Sequence, residues 1–196
     1  MTAKILEGNV LETLKDLPAC SVQCVVTSPP YYGLRDYGID GQIGLEPTPE
    51  AYVEVLVTLF REIRRVLKDD GTVWLNLGDS YIGGKGKSGS IGHELQEIRY
   101  EKGKSINRGY QTTGGSGTNR ITDNRELLKI GYKAKDLLMI PARVALALQA
   151  DGWYLRSEIV WVKPNPMPES VKDRPTKSHE MIYLLSKMSS GEKPYS

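Results

Sequence analysis

Cysteine, histidine and phenylalanine are nearly missing from this chain: Cys20, Cys24, His93, His179 and Phe60 are the only ones among 196 residues. Two cysteines four positions apart, with no second pair and no neighbouring histidine, do not complete a zinc site, so no metal is expected. Cys24 falls inside an apolar run and reads as a small buried hydrophobe in a reducing compartment. The two histidines are not spaced as a ligand or catalytic pair. No apolar run approaches the roughly 18 residues that span a bilayer. Met1-Thr2-Ala3-Lys4 is followed by no signal-peptide core, which argues against membrane association and points to the cytoplasm. There is no internal repeat, and the length suits a single core.

Strong net charge is also lacking, since the total is +2, but the balance is uneven. Residues 82–135 hold eleven Lys or Arg against five Asp or Glu, a local +6 that leaves −4 elsewhere. The same stretch, about 82–134, is rich in glycine, serine and asparagine. Such a length of irregular chain inside a compact domain is uncommon unless it is functional or mobile. It reads either as a basic, phosphate-contacting insertion or as a merely solvated loop.

What is present is an alternation of apolar strands and amphipathic helices. Lys4-Ile5-Leu6 is a short strand candidate, and Val10 to Leu17 is helix-like up to Pro18. Val22 to Val26 predicts a strand buried on both faces. Thr48-Pro49-Glu50 supplies an N-cap, a proline at the first helical position and an acid in the first turn. The helix it opens carries Tyr52, Leu56, Leu59, Phe60, Ile63, Val66 and Leu67 on one stripe, turns Arg61, Glu62, Arg64 and Arg65 outward, and closes at Asp69-Asp70-Gly71. A strand follows over Thr72 to Leu77. Pro141 starts a helix to Ala150, Leu155 to Val162 predicts a third buried strand, and Glu180 to Leu185 a fourth. Trp74 and Trp161 alternate with aliphatics and read as core. This order predicts an α/β fold with a mostly parallel, Rossmann-like sheet.

Three strands end in polar turns: Thr27-Ser28-Pro29-Pro30-Tyr31-Tyr32-Gly33, Asn76-Leu77-Gly78-Asp79 and Lys163-Pro164-Asn165-Pro166. Open parallel sheets bind ligands beyond the carboxyl ends of their strands, so the three turns should converge on one site. Ser28-Pro29-Pro30-Tyr31 suits chemistry at an exocyclic amine, whose lone pair is delocalised into its ring. Such a nitrogen attacks a methyl sulfonium poorly unless its two hydrogens are drawn into hydrogen bonds. Ser28 offers one acceptor, its hydroxyl, and Pro29 the other, a backbone carbonyl aimed by two locked φ angles in succession. Tyr31 adds a flat face for an extruded base. No covalent nucleophile is required, because the sulfonium is already an activated donor.

On these residues the chain resembles the amino-methyltransferases of bacterial and phage DNA modification, whose strand-end signature is Ser/Asp/Asn-Pro-Pro-Tyr/Phe/Trp. The likeness extends to Leu34-Arg35-Asp36-Tyr37-Gly38, to Gly41-Gln42-Ile43-Gly44-Leu45-Glu46, and to Lys177-Ser178-His179-Glu180 with Leu184-Leu185-Ser186-Lys187. It implies a site-specific methyltransferase in a restriction-modification setting that uses S-adenosylmethionine and flips its target base out of duplex DNA. The serine variant is associated mostly with N4 of cytosine and the aspartate variant with N6 of adenine, and both substrates stay open. Ser28, Pro29, Pro30 and Tyr31 are then the catalytic turn. Asn9, where the family often carries an acid near the cofactor adenine, would contact the cofactor together with Thr27 and Ser28. Tyr32, Arg35, Asp79, Lys163 and Arg174 would meet DNA or the target, although Asp79 also reads as a turn cap and both cations as surface charge.

The resemblance fails at one point. Family members hold the cofactor with a Phe-x-Gly-x-Gly turn, and Phe60 lies mid-helix, while Gly114-Gly115-Ser116-Gly117-Thr118 follows no apolar strand. In the subclass that places the catalytic motif first, that turn comes last. Residues 1–196 therefore read as the catalytic part of a Rossmann-like domain that is incomplete at its C-terminus. Three explanations stay open, namely a truncated piece, a naturally split enzyme completed by a C-terminal polypeptide, or a degenerate gene product, and a non-catalytic DNA-binding or regulatory subunit is the competing reading.

Overall fold

The computed structural model describes residues 3–82, 124–166 and 171–188. Four strands form one sheet in the order β1-β2-β4-β3, with β1 at Val22–Thr27, β2 at Leu67–Leu77, β3 at Tyr154–Val162 and β4 at His179–Ser186. β1 pairs with β2 in parallel, whereas β4 runs antiparallel to both β2 and β3. Three strands therefore point the same way, and β4 is set in reverse between two of them. The helices are α1 (Val10–Thr13, continued by a 3-10 turn over Leu14–Asp16), α2 (Pro49–Val66), α3 (Asn124–Lys129) and α4 (Ile140–Ala150).

Helix α2 starts where its sequence signals place it: the Thr48 hydroxyl accepts from the Ala51 amide at 3.2 Å, and Pro49 occupies the first turn. Its apolar stripe buries Tyr52, Leu56, Phe60 and Ile63 against Val73, Leu75 and Leu77 of β2, Tyr183 and Leu185 of β4, and Val144 and Leu148 of α4. Arg65 turns back instead of facing outward, donating to the carbonyls of Leu17 and Leu14 and tying the 3-10 turn to the helix.

All the core residues of the sheet lie on the side that α2 and α4 cover. The alternate positions form a second face that no described residue covers: Val26 is 79% exposed and Trp161 51%. Several expectations are corrected by this arrangement. β1 is an edge strand with one open face, not a strand buried on both, and Cys24 is exposed with it. β3 is the other edge and is mostly exposed, so Trp161 is not core. β-branched apolar runs fill both one-sided and two-sided strands, and periodicity cannot separate the two.

Two further boundaries differ from expectation. Lys4–Leu6 forms no strand, and Ile5 is 92% exposed. Helix α2 ends at Val66, five residues before Gly71, because Leu67 already pairs with Val22. The extra residues of β2 are absorbed by an irregularity in register between Val22↔Leu67 and Cys24↔Thr72. Residues 83–123, including His93 and the glycine run at 114–118, lie outside the described residues, as do 167–170.

Candidate active site

The common direction of β1, β2 and β3 brings their carboxyl ends, with the amino end of β4, to one edge of the sheet. Ser28, immediately after β1, lies with its Oγ 3.3 Å from Asn76 Oδ1 on β2 and 3.4 Å from Tyr31 Oη. Tyr31 Oη is 2.8 Å from Asn76 Oδ1 and 3.0 Å from Glu180 Oε2 on β4. Glu180 in turn pairs with Lys163, which follows β3. The three turns thus converge as their sequences suggest. The reversed strand adds a carboxylate that reasoning about parallel strand ends does not anticipate.

Backbone contacts hold the Ser28–Tyr32 turn. Tyr52, buried on α2, donates its hydroxyl to the Pro30 carbonyl at 2.9 Å, and Ser80 donates to the Tyr32 carbonyl at 2.9 Å. The Gly33 amide donates to the Gly44 carbonyl at 2.7 Å. A Cβ on Gly44, whose φ is +102°, would stand 3.0 Å from the Tyr31 carbonyl, so only glycine fits beneath the turn. A Cβ on Gly78 would come within 2.4 Å of the Tyr31 ring, which rests directly on that backbone. With the Pro30 carbonyl occupied by Tyr52, the neighbouring Pro29 carbonyl is left with no donor among the described residues. Ser28, Pro29, Pro30, Tyr31, Arg35 and Tyr37 border an open cleft of about 280 Å³. On the uncovered sheet face, Ser28 and Thr27 also border an apolar cleft of about 430 Å³ with Val26, Trp74, Trp161 and Ile182.

Electrostatics follow from these contacts. Burial pushes the Tyr31 hydroxyl above its ordinary range and the Glu180 charge pushes it further, while Ser28 acts the other way. Burial alone would raise Glu180, but hydrogen bonds from Lys163 and Tyr31, with the Lys163 charge, outweigh it and hold the carboxyl below its ordinary value.

Several expected site residues are engaged in contacts within the protein. Tyr32 is 1% exposed in the core with its ring 5.5 Å from that of Tyr52, which removes it from any DNA surface. Adjacent residues in an extended turn point to opposite sides, and Tyr31 takes the cleft side. Asp79 accepts from the amides of Ser80 and Ile140, each at 2.9 Å, and so caps helix α4. The Lys163 ammonium is engaged with Glu180, and the Arg174 guanidinium stacks 3.7 Å over the Tyr81 ring. The side chain of Asn9 caps α1 by accepting from the Leu11 amide. Asn76, Glu180, Tyr52 and Gly44 are the site residues the sequence reading does not assign. Of these, Asn76, Gly44 and Glu180 lie in the 76–79, 41–46 and 177–180 motifs, and for Asn76 and Glu180 the position at strand ends is the available signal. No group of three metal-ligating side chains occurs among the described residues, and no described helix is long and apolar enough to cross a membrane.

A sheet of this order, with Ser-Pro-Pro-Tyr at the tip of a parallel strand, defines an α/β chain of the Rossmann-like methyltransferase type. More particularly, it belongs to the DNA methylase family, whose sequence model matches residues 22–194. The chain is 50% identical over 183 residues to the type II methyltransferase M.XycI of Xanthomonas campestris pv. cyanopsidis, covering 93% of this chain and 54% of that protein. It therefore spans about half the length of that relative. Its fold is similar to that of the PvuII DNA methyltransferase described as cytosine-N4-specific, with a TM-score of 0.55 and 19% identity, over 92% of this chain and 48% of that one. It is likewise similar to a DNA modification methylase of Thermus thermophilus solved with S-adenosyl-L-methionine, with a TM-score of 0.56 and 20% identity, over 96% of this chain and 55% of that one.

Proposed function

We propose that this chain is the base-holding part of an S-adenosylmethionine-dependent DNA methyltransferase that modifies the N4 amino group of cytosine in duplex DNA, with the target base flipped into the cleft at Ser28. The observation that carries this reading is the pair of acceptors at the β1 tip: the Ser28 hydroxyl, and a Pro29 carbonyl with no donor among the described residues. Two acceptors on one turn can take the two hydrogens of an exocyclic amine and localise the nitrogen lone pair for attack. Tyr31 and Pro30 border the same cleft and offer flat contact to the base, while the exposed Arg35 at its mouth suits a phosphate.

The cofactor supplies an activated methyl group. The described residues fit only one edge of its site. Thr27 and Ser28 line the second cleft, but no glycine-rich turn and no acid for ribose hydroxyls adjoins them, and the Asn9 side chain is used as a helix cap. The sheet face left open among the described residues, and the β1 edge that no described strand pairs, support a complementing C-terminal segment or separate polypeptide that covers Val26 and Trp161 and completes the cofactor seat. The setting we propose is a bacterial or phage-encoded modification enzyme in the cytoplasm.

Incubating the chain with duplex DNA and labelled S-adenosylmethionine, then digesting to nucleosides, tests the reading. N4-methylcytosine is the expected product. N6-methyladenine would reassign the base while keeping the chemistry. Unmodified DNA in the presence of the complementing segment would overturn it. A DNA-binding subunit without turnover is the second reading, favoured by the partial cofactor seat. Calorimetric titration with the cofactor separates the two, since sub-millimolar binding without a partner argues for a working site.

A further inference from the structure

The geometry points to Glu180, ion-paired with Lys163, as a positioning residue that acts through Tyr31 and Asn76 to leave the Ser28 hydroxyl as an acceptor. The inference rests on the amino-methylation reading and goes beyond it by assigning a role to the reversed strand. It follows from counting protons. Tyr31 carries one hydroxyl proton and faces two acceptors, Asn76 Oδ1 at 2.8 Å and Glu180 Oε2 at 3.0 Å. Ser28 also carries one, within reach of Asn76 Oδ1 at 3.3 Å and of Tyr31 Oη at 3.4 Å. The Asn76 amide nitrogen is directed to the Met181 carbonyl at 3.3 Å, which turns the amide oxygen toward the two hydroxyls.

An ionised carboxylate accepts and cannot donate, and it is a stronger acceptor than a neutral amide oxygen. Glu180 therefore shares the Tyr31 proton with Asn76 Oδ1 and holds it on the side away from Ser28. Asn76 Oδ1 and Tyr31 Oη are then left to take the proton of Ser28, and the serine lone pairs face the cleft. Acceptance is what an amino hydrogen of the base requires. If Glu180 could donate, the order would reverse. Tyr31 would receive at its oxygen and give its proton wholly to Asn76, so Ser28 would have only the second lone pair of Asn76 Oδ1 to donate to, and its proton would be freer to turn toward the base as a competing donor. Lys163 keeps the first arrangement by pairing with the other carboxylate oxygen, Glu180 Oε1. Glu180→Gln is the informative substitution because it preserves shape and reverses the hydrogen-bonding sense.

The first measurement needs no turnover. In the 196-residue chain labelled with carbon-13 at tyrosine Cζ, the Tyr31 resonance is assigned by its loss in Tyr31→Phe. It should move as pH is lowered through the titration of Glu180. Glu180→Gln should abolish that movement, Glu180→Asp should retain it, and the other tyrosine resonances should hold. A Tyr31 resonance that ignores pH in the parent chain, or moves equally in Glu180→Gln, overturns the inference. The second measurement is methyl transfer to duplex DNA. Glu180→Gln should lower kcat about tenfold with KM for DNA within about twofold, and should add nothing in a Tyr31→Phe background. An undiminished effect in that background overturns the relay through Tyr31. Methylation that survives Ser28→Ala would bring down the functional reading instead, while the resonance experiment still decides the network.

Discussion

Ser28 and Pro29 present acceptors of different kinds, one a rotatable hydroxyl and one a backbone carbonyl fixed by its ring. The hydroxyl is the one that mutation can remove. Ser28→Ala is expected to lower single-turnover methyl transfer by about tenfold to a hundredfold, or roughly 1.4–2.8 kcal/mol. DNA affinity in a filter-binding assay should change little, because the contact is made at the reacting nitrogen. Tyr52 acts one layer deeper: its phenol, on a fully buried side chain, is the donor to the Pro30 carbonyl. Tyr52→Phe leaves that acceptor unpaired and should cost about 1–3 kcal/mol in urea unfolding. At this scale the sequence was readable where chemistry is contiguous, as in Ser28 to Tyr31. It was silent on Glu180, which meets Tyr31 across a separation of 149 residues. It misplaced Tyr32, since two adjacent tyrosines look alike on paper and only packing sends one to the core.

Among the elements, helix α4 shows how a local signal and a distant one combine. Pro141 in its first turn marks the start, but Met139 at the capping position has no acceptor and adopts a left-handed φ of 56°. Asp79, at the end of β2, supplies the cap instead through Ile140 at 2.9 Å. Asp79→Ala is therefore expected to destabilise the fold by about 1 kcal/mol, lowering the thermal midpoint by roughly 2–4 °C in a melt followed by circular dichroism. The strands and both long helices were legible because apolar periodicity, prolines and the Thr48 cap are short-range signals. The reversal of β4 was not, because strand direction is a property of connections. Nor was the one-sided burial of β1 and β3, because nothing in an apolar run says what lies against it.

For the molecule as a whole, tyrosine is the group whose ionisation burial opposes most. Burial raises Tyr32, Tyr52 and Tyr183 well above the ordinary value of 10.0, and nearby carboxylates add to it. A folded-state pKa raised above the unfolded one contributes stability that is fully present below pH 10.0 and is lost as pH rises past it. Alkaline unfolding should therefore begin above about pH 10. Absorbance at the phenolate band should show one set of tyrosines titrating in the native chain and the buried set ionising only as the fold opens. A single smooth titration with retained circular dichroism would contradict this assignment of the core.

The scarcity of cysteine becomes an experimental opening once Cys24 is placed. Its thiol is exposed on β1, two residues from Val26 on the side of the sheet that no described residue covers, where the Thr72 hydroxyl donates to it at 3.7 Å. With Cys20 replaced by serine, a maleimide or disulfide reagent would tag that strand alone. The tagging rate should be that of an open thiol in the 196-residue chain and should slow at least about tenfold once a second polypeptide seats over the strand. The molecule thus carries its own chemical clock for assembly, readable by mass spectrometry before any DNA is added.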